Sequence, residues 1–347
     1  MGAGNQRERF RLRFVLLIDA SISMNTPATA SFSVSPTAPP SHRRRRFWLR
    51  FLRGIGILVL LVVAVIGWGY WYFHPEITRE AGVVYGERHE HELIFDVMQP
   101  ASGKTNGRGV LFMVSGSWKS NPKSIQPAIV APLLRRGYTV FAVCHVSQPE
   151  ATVAEIVEDI HRAVRFIRHH AARWEIDPDR LGISGASSGG HLALMLATRG
   201  GPGDPAATDP VDRESSAIQA AAVFFPVTDL LNLGDSTENP GDGGPPIHFV
   251  SAFRPNALDL PTWKVTGGNL SPIDHVTPEL PPVFIMHGDA DTLVPVDQST
   301  RFVDRARELG LSEDRVELVI KPGKPHGWVT MVWELQKFAD WYDRWLR

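Results

Sequence analysis

From about residue 75 onward, the apolar positions fall into two alternating kinds of run. Short, mostly continuous runs of Val, Ile, Leu, Phe and Ala occupy residues 109–114, 138–146, 181–184, 218–225, 282–286 and 315–320, the pattern of strands buried on both faces. Residues 91–98 show a mixed alternation and read as a further strand. Between these runs the apolar spacing turns helical, over 125–136, 153–173, 298–309 and 330–346; Ile156, Ile160, Val164 and Ile167 share one face of the second, with charges opposite. Strands alternating with helices predict an α/β fold, a mainly parallel sheet with helices on both faces. In such a sheet ligands bind beyond the carboxyl ends of the strands. Residues 227–270 interrupt the rhythm. Their Gly/Pro/Asp-rich part, 234–246, predicts a mobile loop, and 248–260 a short helical insertion, either a lid over the site or a surface excursion.

The pattern before residue 75 is of another kind. Residues 1–46 are polar and basic at first, with a short apolar run at 14–18. A Ser/Thr/Pro/Ala stretch over 21–41 follows, which cannot bury a core, so a disordered tail is expected, with Met24 an alternative start. Residues 47–74 form a basic flank and an uncharged stretch, 54–73. At about 1.5 Å per residue, these roughly 20 residues span a bilayer as one helix. Arg43, Arg44, Arg45, Arg46, Arg50 and Arg53 precede it, and Trp68, Tyr70, Trp71 and Tyr72 crowd its far end as an interfacial belt does. The apolar core is long for a signal peptide and no Ala-x-Ala site follows. The stretch therefore predicts a single-pass signal anchor, with its N-terminus cytoplasmic and residues 75–347 on the periplasmic or other extracytoplasmic side.

Composition narrows the chemistry only a little. The formal net charge is -1, which gives no reason to expect a nucleic-acid partner. The single cysteine, Cys144, excludes an intrachain disulfide and sits in an apolar run, where a buried, inert thiol is expected. No glycine-rich phosphate loop or Cys/His zinc spacing occurs, so neither a metal nor an organic cofactor is implied. His191 is expected to be packed, and His89 with His91 lacks the third ligand of a metal site.

The candidate chemistry centres on residues 182–192. A strand leads into Gly185-Ala186-Ser187-Ser188-Gly189, and a helix-forming stretch follows at once, the context a nucleophile elbow requires. Such a turn forces its serine into a sparsely populated backbone conformation, and a side chain at Gly185 or Gly189 meets the neighbouring helix or strand. A serine hydroxyl needs a base, and the base an orienting acid. Asp289 and Asp291 stand just after the strand at 282–286, Asp229 after an earlier one, and His326 in a Gly/Pro loop after the strand at 315–320.

From about residue 75 to its end, the chain resembles the acetyl-esterase-like branch of the alpha/beta-hydrolase superfamily. Three stretches carry the resemblance: Gly-Ala-Ser-Ser-Gly-Gly-His-Leu-Ala from Gly185, His-Gly-Asp-Ala-Asp-Thr-Leu-Val-Pro from His287 and Pro-His-Gly-Trp from Pro325. Their order, Ser then Asp then His, is that of the superfamily. The resemblance implies a serine carboxylesterase with Ser187 as nucleophile, His326 as base and Asp291, over Asp289 and Asp229, as acid. The match is imperfect at the oxyanion hole. Similar esterases carry His-Gly-Gly-x-Trp where this chain reads Ser115-Gly116-Ser117-Trp118. An oxyanion hole is built from backbone N–H groups, so the donors survive the change. Gly116, Ser117 and Ser188 are expected to supply them. A small-molecule ester or an acetylated or feruloylated polysaccharide fits as substrate. A prolyl-oligopeptidase-type peptidase and an inactive hydrolase-fold binding module are the competing readings; no propeller-like segment supports the first, and only the altered oxyanion stretch supports the second.

Overall fold

The computed structural model of the protein describes residues 42–347. Of the tail expected over residues 1–46, residues 1–41 lie outside the described residues. Helix α1 (His42–Phe73) is a single helix that takes in residues 43–46, which composition alone assigns to the tail. It is long and apolar enough to cross a membrane. Ile57, Leu60, Val65 and Ile66 are all exposed, so the apolar surface runs around the helix rather than along one stripe.

Residues beyond the helix form an eight-stranded sheet in the order β1-β2-β4-β3-β5-β6-β7-β8. Its strands are β1 (Ile77–Arg88), β2 (His91–Pro100), β3 (Gly109–Met113), β4 (Thr139–Val143), β5 (Leu181–Ala186), β6 (Ala220–Phe224), β7 (Val283–Gly288) and β8 (Val316–Lys321). The β1–β2 and β2–β4 pairs are antiparallel, and every pair from β4 to β8 is parallel. The expected mainly parallel α/β sheet is therefore present. β1 is the strand that periodicity misses. It is a charged edge strand whose register shifts between Glu80 and Val83 and again between Val84 and Gly86, which breaks the two-residue alternation.

The central strands are buried throughout, and consecutive residues feed opposite faces. Leu111, Ile183, Val223 and Ile285 join one core cluster with residues of α3 (Val153–His169), α4 (Ser188–Arg199) and α6 (Asp297–Glu308). Val110, Phe112, Ala222 and Met286 join another with α2 (Ala131–Arg135) and α7 (Met331–Trp345). Two helices are shorter than their periodicity suggests. The pattern over 125–136 yields only α2, because Pro127 and Pro132 lack N–H donors and disfavour helical geometry before them, and Pro132 fits the first turn. α3 opens with a capping box, the Thr152 side chain accepting from the Glu155 N–H, but ends at His169 before a separate 3-10 turn, Ala171–Trp174.

Candidate active site

Ser187 stands between β5 and α4 with φ 56 and ψ −124, in the left-handed half of backbone space that non-glycine residues avoid. That geometry costs about 1–3 kcal/mol and persists only where the surroundings impose it. Here the Ser187 N–H donates to the Phe224 carbonyl at 3.0 Å, and the Ser187 carbonyl accepts from the His191 N–H at 2.9 Å. The glycines around it are required by space. A Cβ at Gly185 would lie 2.2 Å from the Gly189 carbonyl oxygen, on the helix, and one at Gly189 would lie 2.9 Å from the Met113 carbonyl oxygen, on β3. Gly185→Ala is accordingly expected to destabilise the fold by about 2–4 kcal/mol, read from chemical denaturation. A loss below about 0.5 kcal/mol would contradict this packing.

The carboxylate and the imidazole arrive on neighbouring loops because β7 and β8 are paired to their ends, Gly288 opposite Lys321. The loops are then laced together: the Asp289 N–H donates to the Lys321 carbonyl, and the Ala290 N–H to the Lys324 carbonyl. Only glycine permits that approach at position 288, where a Cβ would lie 2.1 Å from the Lys324 oxygen. His326 Nδ1 lies 2.7 Å from Asp291 Oδ2, and its Nε2 lies 3.0 Å from Ser187 Oγ. A carboxylate only accepts, so Nδ1 carries the hydrogen, Nε2 is the acceptor, and the Ser187 hydroxyl donates to it. The Phe225 ring, 4.4 Å away between centroids, flanks the imidazole.

Asp291 is 5% exposed, and its other oxygen accepts from the Leu293 and Val294 N–H groups at 3.0 and 2.9 Å. Burial alone raises its carboxyl pKa. The His287 and His326 ring N–H groups and the Val294 N–H outweigh that and hold it well below the usual carboxylate range. His287 Nε2 donates chiefly to the Val294 carbonyl at 2.7 Å, with Asp291 Oδ2 at 3.4 Å. The rival carboxylates lie apart from His326. Asp289 accepts from the Gly323 N–H at 2.6 Å, so it ties down the neighbouring loop rather than capping its own. Asp229 accepts from the Leu231 and Asn232 N–H groups and faces Arg301 at 3.5 Å.

The expected oxyanion donors are only partly available. Gly116 is a correction: its N–H donates to the Lys119 carbonyl at 2.9 Å, and the Lys119 N–H returns the bond at 2.9 Å. That closed bridge removes Gly116 as a donor. The N–H groups of Ser117 and Ser188 have no partner among the described residues, and both residues line one pocket with Ser187. Ser188 opens α4, where the first N–H groups have no intrahelical acceptor. Ser117 and Trp118 both have positive φ, 54 and 53, so this loop is strained twice in succession. Trp118 anchors it. This side chain is 3% exposed, donates from Nε1 to His191 Nδ1 at 3.2 Å and packs edge-on against Phe249 and Phe253. His191 is packed as expected, but it also ties this loop to the elbow helix, its Nε2 donating to the Leu270 carbonyl at 2.8 Å.

The pocket encloses about 40 Å³, and Leu233, Glu238, Pro246 and Phe249 form part of its wall together with Val227, Leu293 and Val294. The 227–270 segment, which also carries α5 (Leu260–Asn269), thus reaches the serine rather than running over remote surface. Sequence reasoning passes over two groups here. His145 lies just past β4, with Nε2 3.0 Å from Ser115 Oγ, and Gln298 accepts from the Thr228 and Asp229 N–H groups at 2.9 and 2.8 Å. The signal for His145 is its place beyond the carboxyl end of a parallel strand. Cys144, beside it, is buried as expected, and burial pushes its thiol up to about 11.

The BD-FAE family model matches residues 95–305. Among curated relatives, the probable carboxylic ester hydrolase LipM of Mycobacterium tuberculosis is 27% identical over 238 residues, covering 68% of this chain and 53% of that protein. Esterase LipQ of the same organism is 30% identical over 238 residues, covering 67% and 54%. The chain spans about half the length of these two relatives. Among solved structures, an acetyl ester-xyloside bifunctional hydrolase from Caldicellulosiruptor lactoaceticus superposes with a TM-score of 0.61 at 23% identity, covering 78% of this chain and 94% of that one. At that identity the superposition speaks for the fold.

Proposed function

This chain belongs to the BD-FAE family and has the alpha/beta-hydrolase fold, and from that premise we propose that it hydrolyses carboxylic esters through an acyl-enzyme on Ser187. The observation that carries the reading is the directed hydrogen-bond chain from Ser187 through His326 to Asp291. In this mechanism His326 Nε2 takes the hydroxyl proton as Ser187 Oγ attacks the ester carbonyl. Asp291 holds the ring and stabilises the imidazolium. The Ser117 and Ser188 N–H groups receive the oxyanion. His326 then returns the proton to the departing alcohol. A water deprotonated by the same nitrogen releases the acid. The mainly apolar wall and the small enclosed volume, about 40 Å³, favour short acyl groups.

The reading extends to the helix that precedes the sheet. As a signal anchor, residues 54–73 hold a catalytic domain of residues 75–347 on the extracytoplasmic side, with residues 43–53 supplying the arginines that stay cytoplasmic. The full chain, expressed in bacteria, is expected to stay in the membrane fraction after an alkaline wash and, in detergent, to turn over p-nitrophenyl acetate faster than the palmitate ester. Release by the wash contradicts the anchor. Absence of turnover on every chain length contradicts the esterase.

A further inference from the structure

Where similar esterases begin the oxyanion stretch with histidine, this chain has Ser115, and the structure puts a histidine from another strand against it. Four polar groups are linked in series. The Trp118 N–H donates to Ser188 Oγ at 3.0 Å, Ser188 Oγ lies 3.2 Å from Ser115 Oγ, and Ser115 Oγ lies 3.0 Å from His145 Nε2. The far side of the ring fixes the direction of every bond. His145 Nδ1 is 2.8 Å from the Val146 carbonyl, which only accepts, so Nδ1 carries the hydrogen and Nε2 is a bare acceptor. Ser115 must then donate to His145, which leaves its oxygen to accept from Ser188, whose own oxygen accepts from Trp118. Each hydroxyl donates once and accepts once, with no lone pair or proton in conflict. Three of the four members are sequestered, Trp118, Ser188 and His145 being 3, 2 and 8% exposed, and Ser115 is half-buried. Burial lowers the His145 ring to about 4, so it is the neutral acceptor at ordinary pH.

The consequence falls on the oxyanion loop. Ser117 and Trp118 hold positive φ, and a loop of that kind relaxes unless both sides are pinned. The Gly116–Lys119 bridge pins one side, and the bond from the Trp118 N–H to Ser188 pins the other. We propose that His145, acting through Ser115 and Ser188, is a positioning residue that locks the Ser117 N–H into the oxyanion hole. His145 touches no reacting atom. Its relay crosses from the end of β4 to the elbow helix. The proposal rests on the esterase reading for its rate effect, but not for its geometry.

The test uses the full chain in detergent micelles. Steady-state kinetics on p-nitrophenyl acetate are compared for wild type, Ser115→Ala, His145→Phe and the double variant, with Ser115→Thr and His145→Gln as variants that restore a hydroxyl or an acceptor. Each disrupting change is expected to lower kcat by about 10- to 100-fold with KM altered less than about 3-fold. Because both act on one relay, the double variant should lose no more than about 3-fold beyond the worse single one. The restoring variants should recover at least about 10-fold of a 100-fold loss. Multiplying losses, a raised KM with unchanged kcat, or undiminished turnover in Ser115→Ala would each overturn the relay. A second readout does not need turnover: nitrogen NMR of histidine-labelled protein at neutral pH, with the His145 signal assigned by its loss in His145→Gln. An Nδ1–H tautomer supports the relay, and an Nε2–H tautomer overturns it. An inactive wild type with the Nδ1–H tautomer sinks the esterase reading while supporting the relay.

Discussion

Ser187→Ala is expected to lower ester turnover by about four to six orders of magnitude while leaving the unfolding transition within about 1 kcal/mol of the wild type. The rate falls because the hydroxyl bonded to His326 Nε2 is gone, and water held by the oxyanion donors is a poor substitute. Stability changes little because alanine keeps the Cβ, and Ser187's backbone remains tied to Phe224 and His191. Only a single half-exposed hydroxyl bond is lost, worth about 1 kcal/mol. Kinetics and a denaturation curve on the same preparation check both halves. More than about a tenth of the wild-type rate in the variant would remove Ser187 from the chemistry.

Asp291→Asn is expected to cost about 10⁴-fold in kcat, and Asp289→Asn less than about 3-fold. The two carboxylates stand two residues apart on one loop, yet their surroundings differ. Asp291 is buried, accepts from the His326 ring and two backbone N–H groups, and stays ionised because those donors outweigh its burial. An amide there loses the charge that stabilises the imidazolium, and its NH₂ group invites the tautomer that turns Nε2 into a donor. Asp289 accepts a single N–H from Gly323, a task an asparagine oxygen performs as well. The kcat ratio of the two variants decides the matter, and the reverse ranking would move the acid to Asp289.

Much of this architecture is legible in the sequence because it rests on local rules. The central strands are continuous apolar runs, since both of their faces are covered, and Gly185 is specified by the backbone of Gly189 only four residues on. The Asp291–His326 meeting is less local, but strand order predicts it: loops after two adjacent parallel strands open on the same edge. What the sequence conceals depends on long-range pairing. β1 is masked by its two register shifts and its charges. The fate of the Gly116 N–H cannot be read from Ser-Gly-Ser-Trp, because it depends on the Lys119 carbonyl folding back upon it. His145 sits inside an apolar run, and its partner Ser115 is 30 residues away. The pocket wall drawn from 233–249 is likewise invisible to a periodicity argument, since that segment has no regular element until the 3-10 turn Val250–Phe253.

The central claim is that Ser187 is an activated nucleophile, and fluorophosphonate labelling of the folded full chain, with adduct mapping by mass spectrometry, tests it most directly. The account predicts a single adduct on Ser187, formed as ester turnover disappears and absent from Ser187→Ala. An adduct on another serine with Ser187 unmodified, or a folded chain that takes no label, would contradict it.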